Sequence, residues 1–132
     1  MNDKEALLAY RMTQAEETLV DAQKMLENNF SPRSVVNRTY YALFYLLLAL
    51  FLKTDIDIKT SKHAAVISIF DREFVHKGIV SVHHSKTLHK ISESRQRADY
   101  KELVHISSAD AAEYIKLAED FFEEIKKLIV EH

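Results

Sequence analysis

Leu8, Met12, Ala15, Leu19, Ala22 and Leu26 recur at intervals of 4, 3, 4, 3 and 4. That is the spacing of one helical face, and it predicts a first helix from Asp3 to Asn28. Asn28 and Asn29 tolerate a left-handed cap and end it. Ser31 followed by Pro32 predicts the N-cap and first turn of a second helix, reaching Lys53. Its later half, "YYALFYLLLALFL" from Tyr40 to Leu52, is apolar on all faces and belongs at the centre of a bundle.

The polar, β-branched stretch "KTDIDIKTS" predicts a loop that ends in an N-cap near Ser61. A third helix follows, "KHAAVISIFDREFVHK", with His76 and Lys77 in its last turn and the only glycine, Gly78, just beyond. The fourth, from Ser81 to Arg97, has a thinner stripe of Val82, His84, Leu88 and Ile91. Ser107 with Asp110 three residues on is a capping-box pattern that opens a fifth helix. There Ala111, Ile115, Ala118, Phe122, Ile125 and Ile129 repeat the 4, 3, 4, 3, 4 spacing. One Gly and one Pro in 132 residues leave little punctuation for hairpins. The expected fold is all-α: a single domain over residues 1–132, an up-and-down four-helix bundle with an additional short helix.

Composition narrows the chemistry. The absence of cysteine excludes disulfides and thiolate metal sites. The apolar run of 13 residues is short of the roughly 18 to 20 that cross a bilayer, and the start "MNDKEALLAY" has no secretion signal. A cytoplasmic protein without a membrane partner is therefore expected. Net charge is only −2, yet residues 1–28 carry −3, residues 29–105 carry +5 and residues 106–132 carry −4. Six of the seven histidines also lie in the basic centre. Such asymmetry suits a local phosphate-binding surface, and equally a merely solvated face.

The candidate chemistry collects in "SESRQRADYKE", residues 92–102. Leu88, Ile91, Arg95 and Asp99 follow one another at helical spacing, so Arg95 and Asp99 fall on the apolar face while Arg97 points to solvent. An internal Arg95–Asp99 pair that pins the helix end is one outcome, and a functional Arg95 the other. In "NRTYYALFY", Arg38 sits beside Tyr40 and Tyr41, whose hydroxyls need partners. Guanidinium groups suit phosphate oxygens, and tyrosine rings suit stacked bases. His63 opens the third helix, where the backbone dipole disfavours an imidazolium; a neutral ring serving as acceptor or base is one outcome, and a plain surface histidine the more frequent one. His83, His84 and His89 lack the spacing and carboxylates of a metal site. No metal or cofactor is expected.

The segments "SPRSVVNRTYYALFYLLLALFL", "SKHAAVISIFDREFVHKGIVS" and "LHKISESRQRADY", in that order, resemble the HEPN domains (higher eukaryotes and prokaryotes nucleotide-binding), in particular small stand-alone prokaryotic ones. The likeness spans residues 5–130. It implies a helical bundle, a homodimer, and pairing with a minimal nucleotidyltransferase, often as toxin and antitoxin. Many HEPN toxins are metal-independent ribonucleases that use an arginine followed four to six residues later by a histidine. Here Tyr100 comes five after Arg95, Glu102 five after Arg97, and His105 eight after Arg97. The chain has instead the R-x-x-x-D-Y form of the small-HEPN branch. By resemblance, Arg38, Tyr41, His63, Arg95, Asp99 and Tyr100 match recurring polar positions of the family. Arg38, Tyr41 and Arg95 would hold the phosphate of RNA or a nucleotide, and Arg95, Asp99, Tyr100 and His63 would form a catalytic group. Tyr100 would accept adenylate from the partner enzyme. The alternative is a non-catalytic nucleotide-binding or adaptor module that dimerises and recruits the nucleotidyltransferase.

Overall fold

The computed structural model describes residues 2–58, 62–100 and 105–130, with backbone only for residues 99 and 100. Among these residues it is all-helical: α1 (Asp3–Glu27), α2 (Pro32–Lys53), α3 (His63–Phe70) continued by a π-helical turn (Asp71–Val75), α4 (Val82–Tyr100) and α5 (Ser108–Val130). Four long helices and one short one form the expected bundle.

Local chemistry sets the helix ends. The Asn2 side chain accepts from the Glu5 amide at 2.8 Å and Ser31 accepts from Ser34, with Pro32 in the first turn. At α5 the capping box is reciprocal: Asp110 N donates to Ser107 Oγ at 3.0 Å and Ser107 N to Asp110 Oδ2 at 3.1 Å. The Ser107 amide, and after it the Ser107 side chain, hold the Asp110 carboxyl below its usual pKa. The predicted cap at Ser61 lies outside the described residues.

Three reversals share one device. Phe30 N donates to Met25 O, Ile56 N to Phe51 O and Ile79 N to Phe74 O, each at 2.9 Å. The residue before each donor is left-handed: Asn29 (φ 59°), Asp55 (φ 57°) and Gly78 (φ 75°). These are Schellman-type closures, which satisfy the last helical carbonyls.

Helix α2 packs against α1, α3, α4 and α5. By length and composition it would pass for a membrane span, but most of it is buried inside the bundle. Leu43, Leu46, Leu47 and Leu50 are fully enclosed and meet Phe70, Phe121, Leu88 and Ile125 in the main core. A smaller cluster joins Ala22, Val35, Val36, Ala98, Ile106, Ala111 and Ile115. The whole predicted stripe of α5 is buried, and Phe121 with it.

Two expectations are corrected. The third helix does not run evenly to its glycine: at Asp71 it widens into the π turn, marked by His76 N donating to Asp71 O at 2.8 Å. Phe70 and Phe74 stay buried across that junction, so hydrophobic spacing carries no sign of it. On α4, Val82 is 59% exposed and lies off the core face. The buried face is Thr87, Leu88, Ile91, Ser92 and Ala98, partly polar and hence invisible to an apolar pattern.

This burial difference is testable by urea unfolding. Ile91→Ala should lower stability by about 2–5 kcal/mol, whereas Val82→Ala should change it by less than about 0.5 kcal/mol. Equal losses would contradict the α4 face.

Candidate functional site

The centre of the site is Tyr40, fully buried on α2. Its hydroxyl lies 2.7 Å from Nδ1 of His63, the first residue of α3. Ser92 of α4, itself buried, lies close enough to the phenol to lower its pKa. With Arg95 of α4 against its ring, one phenol touches three helices. Burial pushes its pKa up to about 12, against the opposing pull of the Arg95 charge and the Ser92 side chain.

Aromatic rings hold the rest. His63 stacks on Phe44 with centroids 4.2 Å apart, lies beside Tyr40 at 5.3 Å, and meets Tyr41 edge-on at 5.5 Å. The Arg95 guanidinium is 4.6 Å from the centroid of the Tyr40 ring and 5.7 Å from that of Tyr41, both within cation–π range. Burial lowers the His63 pKa, and the Arg95 charge lowers it further. A neutral imidazole and a permanent cation thus share a half-buried rim of tyrosine rings.

The structure brings Tyr41, His63 and Arg95 together. Arg38 goes elsewhere: it pairs with Asp21 of α1 at 3.1 Å, in a shallow cleft that Tyr10 and Tyr45 also line. Tyr45 is the neighbour of both groups, its ring 6.0 Å from that of Tyr41. Arg97 is exposed, as its helical position predicts. The side chains of Asp99 and Tyr100 lie outside the described residues, although α4 continues to Tyr100.

Sequence reasoning flagged the Tyr40 hydroxyl as needing a partner without placing Tyr40 in the site, and left out Phe44 and Ser92. Phe44 stands one turn after Tyr40, and Ser92 one turn after Leu88 and three residues before Arg95. Helical spacing alone could have nominated both.

The histidines of α4 separate. His89 Nε2 lies 2.6 Å from Asp71 Oδ2 while Ser85 donates to Asp71 Oδ1 at 2.7 Å, which ties the π turn to α4. His84 packs edge-on against Phe121, and burial, then the neighbouring His83, lowers its pKa. Among the described residues no group of three His, Cys, Asp or Glu side chains gathers as a metal site. Grooves between α1 and α5, and between α1 and the end of α2, have apolar floors and charged rims.

The HEPN domain model matches residues 8–128, which include every side chain of this site. The chain belongs to the HEPN family. A Thermotoga maritima protein designated UPF0332 is 40% identical over 98% of this chain and 96% of its own length. Two Methanocaldococcus jannaschii proteins, each named a putative toxin, are 35% and 27% identical. The first match covers 89% of this chain and 84% of the relative, and the second 91% and 80%. In this HEPN chain the polar positions on α2, α3 and α4 meet through one buried phenol.

Tyr40→Phe should destabilise the fold by about 1–3 kcal/mol, because it leaves a buried partner without its hydrogen bond. The pH dependence follows from His63. Its pKa in the fold is below the 6.5 of the unfolded chain. Its contribution to stability is therefore full above that value and falls on acidification, as the unfolded chain takes up a proton that the folded one refuses. Denaturant unfolding between roughly pH 5 and pH 8 should show the stability difference between wild type and His63→Gln shifting against wild type as pH falls. A pH-independent difference would contradict the neutral, half-buried ring.

Proposed function

We propose that this toxin-like HEPN protein binds the phosphate of RNA or of a nucleotide on the face formed by α2, α3 and α4. The observation that carries the proposal is the Arg95 guanidinium held against the Tyr40 and Tyr41 rings beside a neutral His63. A guanidinium offers several fixed donors to phosphate oxygens, and a tyrosine ring at the rim offers a stacking surface for a base. The amino end of α3, at His63, adds the positive end of its dipole to the same place. Two relatives named as toxins support the toxin-like reading.

On this reading the protein works as a homodimer with a nucleotidyltransferase partner, and adenylate transfer to Tyr100 would block the Arg95 face by charge and bulk. Light scattering should give twice the chain mass at micromolar concentration. Peptide mass spectrometry after incubation with the partner and ATP should find the added mass on Tyr100. Modification of another residue would remove this switch. Metal-independent RNA cleavage is the stronger form of the proposal, tested by degradation that survives a chelator and is lost in Arg95→Ala.

Binding itself is tested by titrating AMP or a short single-stranded RNA into the full chain. Arg95→Ala should weaken binding by about tenfold or more, as expected for loss of a charged hydrogen-bond donor, while Arg97→Ala should stay within about twofold. Equal effects of the two substitutions, with both variants folded by circular dichroism, would refute the assignment.

A further inference from the structure

We propose that Tyr40 fixes His63 as a neutral imidazole protonated on Nε2, so that the ring offers a hydrogen-bond donor to a phosphate oxygen beside Arg95 and not a base to a ribose hydroxyl. This rests on the phosphate-binding role proposed above and assigns Tyr40 as a positioning residue.

The geometry fixes the proton. Tyr40 Oη and His63 Nδ1 are 2.7 Å apart, so one proton lies between them. A phenol is a stronger acid than a neutral imidazole, and an imidazole nitrogen is a stronger base than a phenol oxygen. The bond is therefore O–H···N, with Tyr40 donating and Nδ1 accepting. With Nδ1 acting as acceptor, the ring proton is on Nε2.

The orientation of the ring follows from burial. Tyr40 is fully enclosed, so the Nδ1 edge faces the interior. The ring as a whole is half-buried, and its opposite edge, carrying Nε2–H, is the part left for a ligand. Arg95 and His63 both pack on Tyr40 and Tyr41, so the two donors converge on one rim. In this state Nε2 has no lone pair to accept a hydroxyl proton, and a neutral N–H is a poor proton source for a leaving oxygen. The imidazolium that would be a good source is disfavoured by burial and by Arg95. His63 thus binds phosphate, and acid–base cleavage through it is not supported by this arrangement.

The test uses the full chain labelled with nitrogen-15 at histidine. Long-range proton–nitrogen correlation near neutral pH, assigned by loss of the signal in His63→Gln, should show Nδ1 unprotonated and Nε2 protonated. In Tyr40→Phe the ring should become a tautomer mixture. An Nδ1–H ring or an imidazolium in wild type would overturn the inference without any ligand experiment. AMP titration adds the binding arm, with adenosine to isolate the phosphate. His63→Gln, whose amide N–H can replace Nε2–H, should retain AMP affinity within about threefold, whereas His63→Leu should lose about tenfold. If Arg95→Ala loses AMP and His63→Leu does not, the phosphate site stands and the donor role of His63 falls. If neither variant loses AMP, both fall.

Discussion

A phenol hydroxyl buried in the central helix has to be hydrogen-bonded, because desolvation without a partner costs more than the ring's burial easily offsets. Tyr40 meets this constraint by reaching His63 on α3. The site is a consequence of that solution. His63 is held where Phe44 and Tyr41 can clamp it, and Arg95 then finds the Tyr40 ring as a face to lie on. Structural and functional roles cannot be separated at this residue: the bond that joins α2 to α3 also decides what His63 presents to a ligand.

The surrounding bundle is built to keep that junction in register. Helix α2 contacts every other helix, and its reversals at both ends are closed by Schellman-type bonds with Asn29 and Asp55 in left-handed backbone. On the far side Asp71 receives Ser85 and contacts His89, and Ser94 shares a hydrogen bond with Tyr114 at 2.9 Å, so α4 is tied to both the π turn and α5. The cross-helix ion pairs Arg38–Asp21, Lys90–Glu113 and Lys126–Glu16 are largely exposed and add little to stability. They do organise charge. Arg38 is held against acidic α1, and Arg95 lies on the aromatic rim.

The sequence by itself determined the helices, the helix ends at Asn28–Asn29, Ser31, Gly78 and Ser107, and the buried stripe of α5. Those features depend on residues within one or two turns of each other: Ser31 with Pro32, Ser107 with Asp110, Ala111 through Ile129 at helical intervals. The face of α4 was legible as far as Leu88, Ile91 and Arg95, and Arg97 was correctly turned outward. Tertiary structure alone decided which polar residues share a site. Arg38 and Arg95 have equal claims to phosphate when read along the chain, yet Asp21, 17 positions before Arg38, takes one of them to α1. Tyr40 and His63 are 23 residues apart, and only the crossing of α2 and α3 brings oxygen and nitrogen to bonding distance. Hydrophobic spacing records which face of a helix avoids water. It holds no information on which partner a buried hydroxyl finds across the core, and that pairing is what makes the site.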